Sequence, residues 1–279
     1  MSDQREMIRL EGITKIYNPG DVSEICLFSD FSLSVRRGEF VSVVGSNGSG
    51  KTSFLNIICG SVAADSGRIL IGGEDVTGMP EHRRYARIGR VWQNPATGTC
   101  SELTILENMA LADCGPAPGK DAEAGGKHGA KCRRFGLGRG VSPGRIEYYR
   151  EQLSALQLGL EDKLCQKAGA LSGGQRQALA LVMSAMTPVD ILILDEHTAA
   201  LDPKTAERIM ELTDRIVREK SLTAVMVTHN LRFAVEYGDR LIMLHAGRAV
   251  LDASGEEKKK KTVPDLLGLF NQISIECGN

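Results

Sequence analysis

Residues 43–56, VVGSNGSGKTSFLN, place three glycines ahead of a Lys-Thr pair, between an apolar run and a helical pattern. Because glycine weakens the interior of a strand or a helix, such a cluster indicates a backbone that must turn sharply or approach a ligand closely. The run EFVSVVG before it is short and β-branched, which predicts a buried strand ending at Gly45. The run KTSFLNIICG after it has apolar residues at helical spacing, with Gly60 as a stop signal.

Residues 45–52 have the spacing G-x-x-x-x-G-K-T, the pattern of a phosphate-binding loop. Between a strand and a helix, the glycines let backbone N–H groups turn toward phosphate oxygens at the positive end of the helix dipole. We expect Lys51 to reach the β- and γ-phosphates of a nucleotide and Thr52 to place its hydroxyl on Mg²⁺. The alternative is an ordinary glycine-rich turn with a chance lysine. The predicted nucleotide-binding residues of the loop are Gly45, Ser46, Asn47, Gly48, Ser49, Gly50, Lys51, Thr52 and Ser53.

Composition narrows the class of protein. The chain has 279 residues, 42% of them hydrophobic, which is enough for one large domain or two smaller ones, and a net charge of −1 gives no global attraction to nucleic acid. No apolar run approaches the roughly 18 residues that span a bilayer, and the charged start MSDQREMIRLEG lacks the apolar segment of a signal peptide. The seven cysteines form no C-x-x-C pair, so we expect reduced thiols in a cytoplasmic protein, with a zinc site as the alternative.

Strand-like and helix-like runs alternate along the chain, which favours an α/β core with a mostly parallel sheet. The runs DILILD and LTAVMVTH predict buried strands on either side of a helix, KTAERIMELTDRIVREK. Between about residues 94 and 166, TILENMALAD and RIEYYREQLSALQL predict helices that flank a glycine-rich, basic segment. This region is expected to be a helical insertion into the core.

Two further motifs carry chemistry. Asp195 and Glu196 follow four apolar residues, so a buried strand would present them at its C-terminal end, where ligands bind in open α/β sheets. We expect Asp195 to hold Mg²⁺ directly or through water, and Glu196 to act as general base toward the attacking water; capping the next helix is the alternative. In LSGGQRQ, Ser172 is a natural helix cap whose following N–H groups offer a second site for an anion.

These motifs, in this order, resemble those of the nucleotide-binding subunits of ATP-binding-cassette (ABC) transporters over nearly the whole chain. Residues 45–52 are similar to the Walker A loop, residues 191–195 to Walker B, and residues 171–175 to the family signature. The resemblance implies a P-loop NTPase fold, α/β with a RecA-like core, an antiparallel β subdomain and an inserted helical subdomain. It implies a single domain over residues 1–279, with the core at about 5–93 and 167–255, the helical subdomain at about 94–166 and a C-terminal tail helix at about 256–279.

Other positions take roles only through this resemblance. Gln93 matches the Q-loop glutamine, which would bridge Mg²⁺ and the helical insertion, Asp202 ends the D-loop, and His229 matches the switch histidine at the γ-phosphate. Tyr17 lies where the family stacks an aromatic ring on adenine. The alternatives are a solvated loop glutamine, a structural histidine and a core tyrosine. The family usually has proline where this chain has His197, for which a tolerated loop variant and a catalytic group are the two interpretations.

The resemblance also implies partners. In the family, two subunits pair head to tail, and each ATP lies between one subunit's Walker A loop and the other's signature, here Ser172, Gly173, Gly174 and Gln175. The expected partners are therefore a second copy of the chain and transmembrane permease subunits, with a substrate-binding protein contacted indirectly and no nucleic acid. The expected location is the inner face of the cell membrane, as a peripheral protein.

The expected function is ATP hydrolysis that drives import of a small solute. Residues 195–214, 226–248 and 251–259 resemble a subfamily of these ATPases assigned to tryptophan or tyrosine uptake. The alternatives are a soluble ABC-family ATPase in translation or DNA repair and the ATPase of an exporter. The basic residues in the range 127–150 would meet anionic lipid headgroups or simply face solvent, and the lysine run 258–261 is expected to face solvent.

Overall fold

The computed structural model describes residues 6–113, 141 and 143–276. Two sheets form the frame of the molecule. The smaller one is antiparallel and has the strand order β2-β1-β4-β5. Its strands are β1 (Glu6–Tyr17), β2 (Ile25–Arg36), β4 (Ser66–Ile71) and β5 (Glu74–Asp75).

The larger sheet has six strands in the order β10-β9-β3-β8-β7-β6, and its pairs are parallel except for β9 with β10. Every residue of its four strands β3, β6, β7 and β8 is buried, which explains why the sequence shows them as continuous apolar runs rather than alternating ones. The predicted α/β class is thereby confirmed. The strands are β3 (Phe40–Gly45), β6 (Ile88–Val91), β7 (Ile191–Asp195), β8 (Thr223–Val227), β9 (Arg240–His245) and β10 (Arg248–Ser254).

Helices cover both faces of the larger sheet. The predicted helix after the glycine-rich loop is confirmed, and its stop at Gly60 has the left-handed φ of 85° that glycine tolerates best. The helix predicted over RIEYYREQLSALQL is shorter than expected, because the backbone of Gln157 is left-handed. The helices are α1 (Lys51–Cys59), α2 (Glu81–Arg84), α3 (Ile105–Asp113), α4 (Ile146–Ser154), α5 (Gly173–Met186), α6 (Pro203–Glu219), α7 (Leu231–Glu236), α8 (Gly255–Lys259) and α9 (Val263–Glu276).

Two large apolar clusters hold these layers together. One packs α1 between the antiparallel sheet and one face of the larger sheet. The other packs α3, α4, α5 and α6 on the opposite face. The phosphate-binding loop and the signature helix α5 therefore belong to different layers, joined through the strands of the larger sheet.

A polar clasp joins the ends of α3 and α4. Arg145 donates to both carboxylate oxygens of Asp113, at 2.8 and 2.6 Å, and the Tyr149 hydroxyl donates to Asp113 at 2.8 Å. Most of the basic range 127–150, for which a lipid contact was one interpretation, lies outside the described residues.

The C-terminal segment corrects one expectation. Lys258 does not face solvent with the rest of the lysine run, because its ammonium donates to the backbone carbonyls of Tyr237 at 2.5 Å and Gly238 at 2.6 Å and is buried there. The predicted cap of the last helix is confirmed, since Thr262 Oγ1 accepts from the Asp265 backbone N–H at 3.4 Å and the Asp265 carboxylate accepts from the Thr262 backbone N–H at 2.8 Å. Among the described helices, none has the length and apolar character to cross a membrane.

Candidate functional site

The glycine-rich loop connects the end of β3 to the start of α1, as its spacing predicts. A Cβ atom on Gly45 would lie 2.3 Å from the carbonyl oxygen of Leu244 and 2.5 Å from Ser49 Oγ, so the neighbouring strand leaves no room for a side chain there. Gly48 and Gly50 have φ angles of 77° and 101°, which other residues rarely adopt. Glycine is therefore required by close packing at Gly45 and by the left-handed backbone at Gly48 and Gly50.

The interior of the loop is suited to an anion. Lys51 is buried, and its ammonium donates to the carbonyls of Gly45 at 2.8 Å and Ser46 at 2.9 Å. Burial lowers the pKa of Lys51, while the charge of Glu196 opposes that shift. The hydroxyl of Ser49 is buried with no hydrogen-bond partner among the described residues. A buried cation held by carbonyls and an unpaired hydroxyl fit the phosphate oxygens of a nucleotide.

The outer part of the loop is open. Asn47, Gly48 and Thr52 are exposed, which leaves the Thr52 hydroxyl accessible to a metal ion. Ser53 is partly buried and lies 3.0 Å, oxygen to oxygen, from the hydroxyl of Tyr17.

Tyr17, the predicted adenine platform, is thus tethered to the helix that begins at the phosphate loop. The ammonium of Lys15 lies 5.4 Å from the centre of its ring and is held by Asp65 at 3.0 Å. The partly buried ring at the end of β1 therefore stands next to the loop, rather than inside the core.

The two acids of DILILDEH stand at the C-terminal end of β7, in the centre of the site. Asp195 Oδ2 accepts from Arg90 Nη2 at 2.7 Å. Asp202 caps α6 by accepting from the Thr205 backbone N–H at 3.1 Å, so the interpretation of the acids as the cap of that helix does not hold.

Glu196 and His229 form a pair. His229 Nε2 lies 2.7 Å from Glu196 Oε1, and because an ionised carboxylate can only accept, the histidine donates its Nε2 proton in this contact. The Glu196 backbone has φ 47°, a strained conformation for a non-glycine residue of the kind that concentrates at functional sites. The motifs of Glu196 and His229 lie apart in the sequence, and the structure brings the two side chains into direct contact.

Gln93 lies just beyond β6 and is exposed. The carbonyl oxygen of the preceding Trp92 accepts from the side-chain amide of Gln177 at 3.2 Å, and the Oε1 of Gln177 is buried with no partner among the described residues. Because Gln177 lies on α5, the signature helix is bonded directly to the segment that carries Gln93.

The signature residues stand at the N-terminus of α5. Ser172 Oγ accepts from the Gln175 backbone N–H, and the Gln175 side chain accepts from the Ser172 backbone N–H, each at 3.3 Å. This reciprocal capping box was missed by sequence analysis, although the spacing S-x-x-Q carries its signal. The residues border a cavity of about 400 Å³, whose lining includes Leu158, Ser172, Gly174, Gln175, Lys204, Thr205, Arg208 and Ile209.

The two signature glycines differ in their surroundings. A Cβ on Gly174 would lie 2.2 Å from Thr205 Cγ2, so this glycine is needed where α5 meets α6. A Cβ on Gly173 would meet Leu201 Cδ2 at an ordinary 3.7 Å, and Gly173 is exposed. None of the described hydrogen bonds joins the signature to the phosphate loop, and the helices that carry them, α5 and α1, pack in different apolar clusters.

His197 is buried beneath the site. Its Nε2 lies 3.1 Å from Thr213 Oγ1, whose own proton is donated to the Ile209 carbonyl at 2.7 Å, so the histidine donates to the threonine. Burial lowers the pKa of His197 to about 4. A neutral, buried histidine with a helix side chain as its partner fits the interpretation as a loop variant better than that of a catalytic group.

Arg90 and Asn56 are polar residues of the site that sequence analysis missed. Arg90 Nη1 donates to Asn56 Oδ1 at 2.9 Å. The sequence signal that could have identified Arg90 is a charged residue inside the apolar run IGRV, residues 88–91, which directly precedes Trp92 and Gln93. No group of three or more His, Cys, Asp and Glu side chains in the described part of the chain is placed to hold a metal ion, so the zinc alternative gains no support there.

Comparisons with known proteins give the following. The sequence profile described as "ABC transporter" matches residues 28–199. The chain is 43% identical over 266 residues to the tyrosine transport ATP-binding protein of Clostridioides difficile strain R20291, covering 95% of this chain and 98% of that protein. It is 34% identical over 252 residues to the phosphonates import ATP-binding protein PhnC of Chromohalobacter salexigens, covering 89% and 84%.

Solved structures agree. The ATP-binding cassette MJ0796, in a dimeric post-hydrolysis state bound to ADP and Pi, has a TM-score of 0.70 at 29% identity and covers 89% of this chain and 98% of its own. The ADP conformation of the cassette MJ1267 has a TM-score of 0.74 at 25% identity and covers 98% and 99%. The predicted cassette fold is confirmed.

Proposed function

The chain belongs to the ABC transporter family, and we propose from that premise that it is the ATP-binding and ATP-hydrolysing subunit of an importer, which energises uptake of a small solute through separate permease subunits. The observation that carries this proposal is the buried Lys51 of the loop together with the Glu196–His229 pair, since the charge of Glu196 acts on the pKa of Lys51. Relatives whose names contain "import" or "transport" favour this function over a soluble ATPase of translation or repair, and over an exporter.

The solute that we propose is an aromatic amino acid, with tyrosine as the first candidate. The support is the 43% identity to a protein named for tyrosine transport, compared with 34% for one named for phosphonate import. The same proposal places the chain on the cytoplasmic face of the membrane, with a substrate-binding protein reached only through the permease. It divides the chain into a core at about 5–93 and 167–255, a helical subdomain at about 94–166 and a tail at about 256–279.

The phosphates would be held by the loop. Backbone N–H groups of residues 46–52 and the Lys51 ammonium offset the phosphate charge, and the ring of Tyr17 would stack on adenine. Thr52, Gln93 and Asp195 would hold Mg²⁺, which supplies further neutralisation of the phosphate oxygens when bound.

Hydrolysis would use the pair at the end of β7 and β8. In this proposal Glu196 accepts the proton of the attacking water, and His229 donates to the γ-phosphate. Because the two side chains bond each other at 2.7 Å in this structure, His229 must turn its Nε2–H from the carboxylate toward the phosphate before both act. The histidine side chain is 47% exposed and has room for that rotation.

The second anion site implies a second chain. Since the signature and the loop of one chain pack in different layers with no described hydrogen bond between them, we propose that Ser172, Gly173, Gly174 and Gln175 bind the ATP held by the partner's loop, with Asp202 at the same interface. A two-fold dimer of this kind contains two equivalent composite sites. The dimeric state of the cassette MJ0796 supports this arrangement.

The test is Glu196→Gln in the full chain. The amide keeps the shape of the side chain but cannot accept the proton, so ATP turnover should fall by about 10²- to 10⁴-fold while ATP still binds. Size-exclusion chromatography with MgATP should then show a persistent dimer. Glu219→Gln, the same change at the exposed last residue of α6, serves as the control and should behave as wild type. Turnover of Glu196→Gln near that of the control would refute the role of Glu196.

A further inference from the structure

We propose that Arg90 is a positioning residue, whose guanidinium fixes the spacing of the three side chains expected to hold Mg²⁺. This inference rests on the proposed function. The juxtaposition behind it is that Arg90 bonds Asp195, one of the three expected Mg²⁺ contacts, and also contacts Asn56, one helical turn after Thr52, and Trp92, which precedes Gln93.

Arg90 lies on β6, opposite Ile193 of β7, and its side chain is 2% exposed. Three groups from three elements surround the guanidinium. Nη2 donates to Asp195 Oδ2 at 2.7 Å, Nη1 donates to Asn56 Oδ1 at 2.9 Å, and the plane lies 3.7 Å from the ring centre of Trp92. A buried planar cation with one bond in each of two directions and a stacking face holds its neighbours in one geometry.

Each of these groups leads to an expected Mg²⁺ contact. Asp195 is such a contact itself. Asn56 lies four residues after Thr52 on α1, so the two side chains share a face of that helix. Trp92 directly precedes Gln93 along the chain. The phosphate-loop helix, the acid strand and the Q-loop segment therefore meet at this one side chain.

The charge of the buried Arg90 guanidinium is offset by Asp195, because two other nearby ionisable groups are neutral. Burial raises the pKa of the nearby Cys59 thiol to about 11 and also raises the pKa of the Tyr85 phenol, so both groups are neutral near pH 7. The carboxylate of Asp195 is then the anion that offsets the buried guanidinium. Arg90 takes Oδ2, whereas Oδ1 accepts no hydrogen bond from the described residues, and 13% of the Asp195 side chain is exposed.

A purely structural arginine is the alternative, and the chain offers one for comparison. Arg84 is buried to a similar degree and bonds the same helix α1, but it donates to backbone carbonyls, at 2.9 Å to Ile57 and 3.1 Å to Ile58. It makes no contact with the expected Mg²⁺ ligands in any described hydrogen bond. Arg84→Lys is therefore the matched control for Arg90→Lys, since each change keeps the positive charge and removes the planar guanidinium group.

The experiment measures metal binding without turnover. In the full chain, the affinity for ATP is determined in EDTA, and the affinity of the ATP complex for Mn²⁺, a spectroscopic substitute for Mg²⁺, is determined by electron paramagnetic resonance. Arg90→Lys should leave the ATP affinity in EDTA within about twofold and weaken Mn²⁺ binding about 10- to 100-fold, the usual effect of removing a partner that orients a metal ligand. Arg84→Lys should lower the melting temperature without weakening Mn²⁺ binding.

A second pair of variants tests the route of the effect and guards against misfolding of Arg90→Lys. If Arg90 acts mainly through its salt bridge with Asp195, then Arg90→Lys should cost less Mn²⁺ affinity in the Asp195→Asn chain than in the wild type. Asn56→Leu, which removes one bond of the guanidinium and keeps its salt bridge, should weaken Mn²⁺ binding by a smaller factor than Arg90→Lys. Wild-type Mn²⁺ affinity in Arg90→Lys would overturn this inference. A loss of ATP affinity in EDTA as large as the loss of Mn²⁺ affinity would overturn it as well. A wild-type chain that binds no ATP would instead overturn the proposed function.

Discussion

Replacing His197 with glutamine removes an ionisable group whose protonation is disfavoured in the folded protein. His197 is 2% exposed and donates from Nε2 to Thr213 Oγ1 at 3.1 Å. A glutamine amide can donate to the same oxygen, so the variant keeps the hydrogen bond and loses the ionisable ring. Thr213 also donates to the Ile209 carbonyl, which leaves its oxygen free to accept from either side chain.

The expected effect on stability follows from the pKa values. Burial lowers the pKa of His197 from its ordinary 6.5 to about 4 in the folded chain. The unfolded chain therefore binds a proton that the folded chain does not bind, throughout the range between these two values, and stability is lost as the pH falls through that range. The free energy of unfolding is unaffected above about pH 6.5. The loss is about 2 kcal/mol at pH 5 and reaches about 3 kcal/mol below pH 4.

The assay is urea unfolding at pH 7 and pH 5 for the wild-type chain, His197→Gln and the control His82→Gln, which changes an exposed histidine of α2. Between the two pH values, the wild type and the control should each lose about 2 kcal/mol more free energy of unfolding than His197→Gln. The other ionisable groups are the same in the wild type and in His197→Gln, so their contributions cancel in that comparison. Equal pH dependence in the wild type and His197→Gln would show that the ring protonates as easily in the folded chain as in the unfolded one, and the burial argument would be wrong.

Two further predictions concern the nucleotide. Tyr17→Ala should weaken ATP binding by about 1–3 kcal/mol, the value of a stacked base, whereas Tyr17→Phe, which loses only the contact with Ser53, should bind within about twofold; a titration with a fluorescent ATP analogue that finds no loss in Tyr17→Ala would place adenine recognition elsewhere. Lys51→Ala and Gly173→Asp chains, each inactive alone, should regain ATPase activity when mixed with permease, because one composite site of the mixed dimer carries neither change. Gly173 is the better position for the aspartate, since at Gly174 the new side chain would meet Thr205 within its own chain. Activity that stays at zero at every mixing ratio, with mixed dimers shown to form, would refute the shared site.

Local patterns predicted the elements of this fold well. The apolar runs of β3, β7 and β8 predicted strands because both faces of these strands are buried, and the stop at Gly60 was predicted because a left-handed residue ends the helix. The shorter α4 was not predicted, since Gln157 adopts a left-handed backbone that glutamine rarely favours.

The site was predicted by position but not by contact. Walker-type spacing indicated where Asp195 stands, yet its partner Arg90 lies 105 residues away and no short-range pattern joins them. The same holds for Gln177 and Trp92, and for Lys258, which lies in a run of lysines whose composition indicates solvent. Contacts of this kind depend on the order of strands and helices in space, which periodicity does not specify.

The clasp of Asp113 with Arg145 and Tyr149 has an evolutionary consequence. Because the ends of α3 and α4 are fastened to each other by side chains of the described residues, the folded layers below do not depend on how many residues connect these ends. Doubling the length of such a connection costs only about 0.6 kcal/mol in chain entropy. Selection can therefore change the length and the sequence of the connection with little effect on the fold of the ATPase.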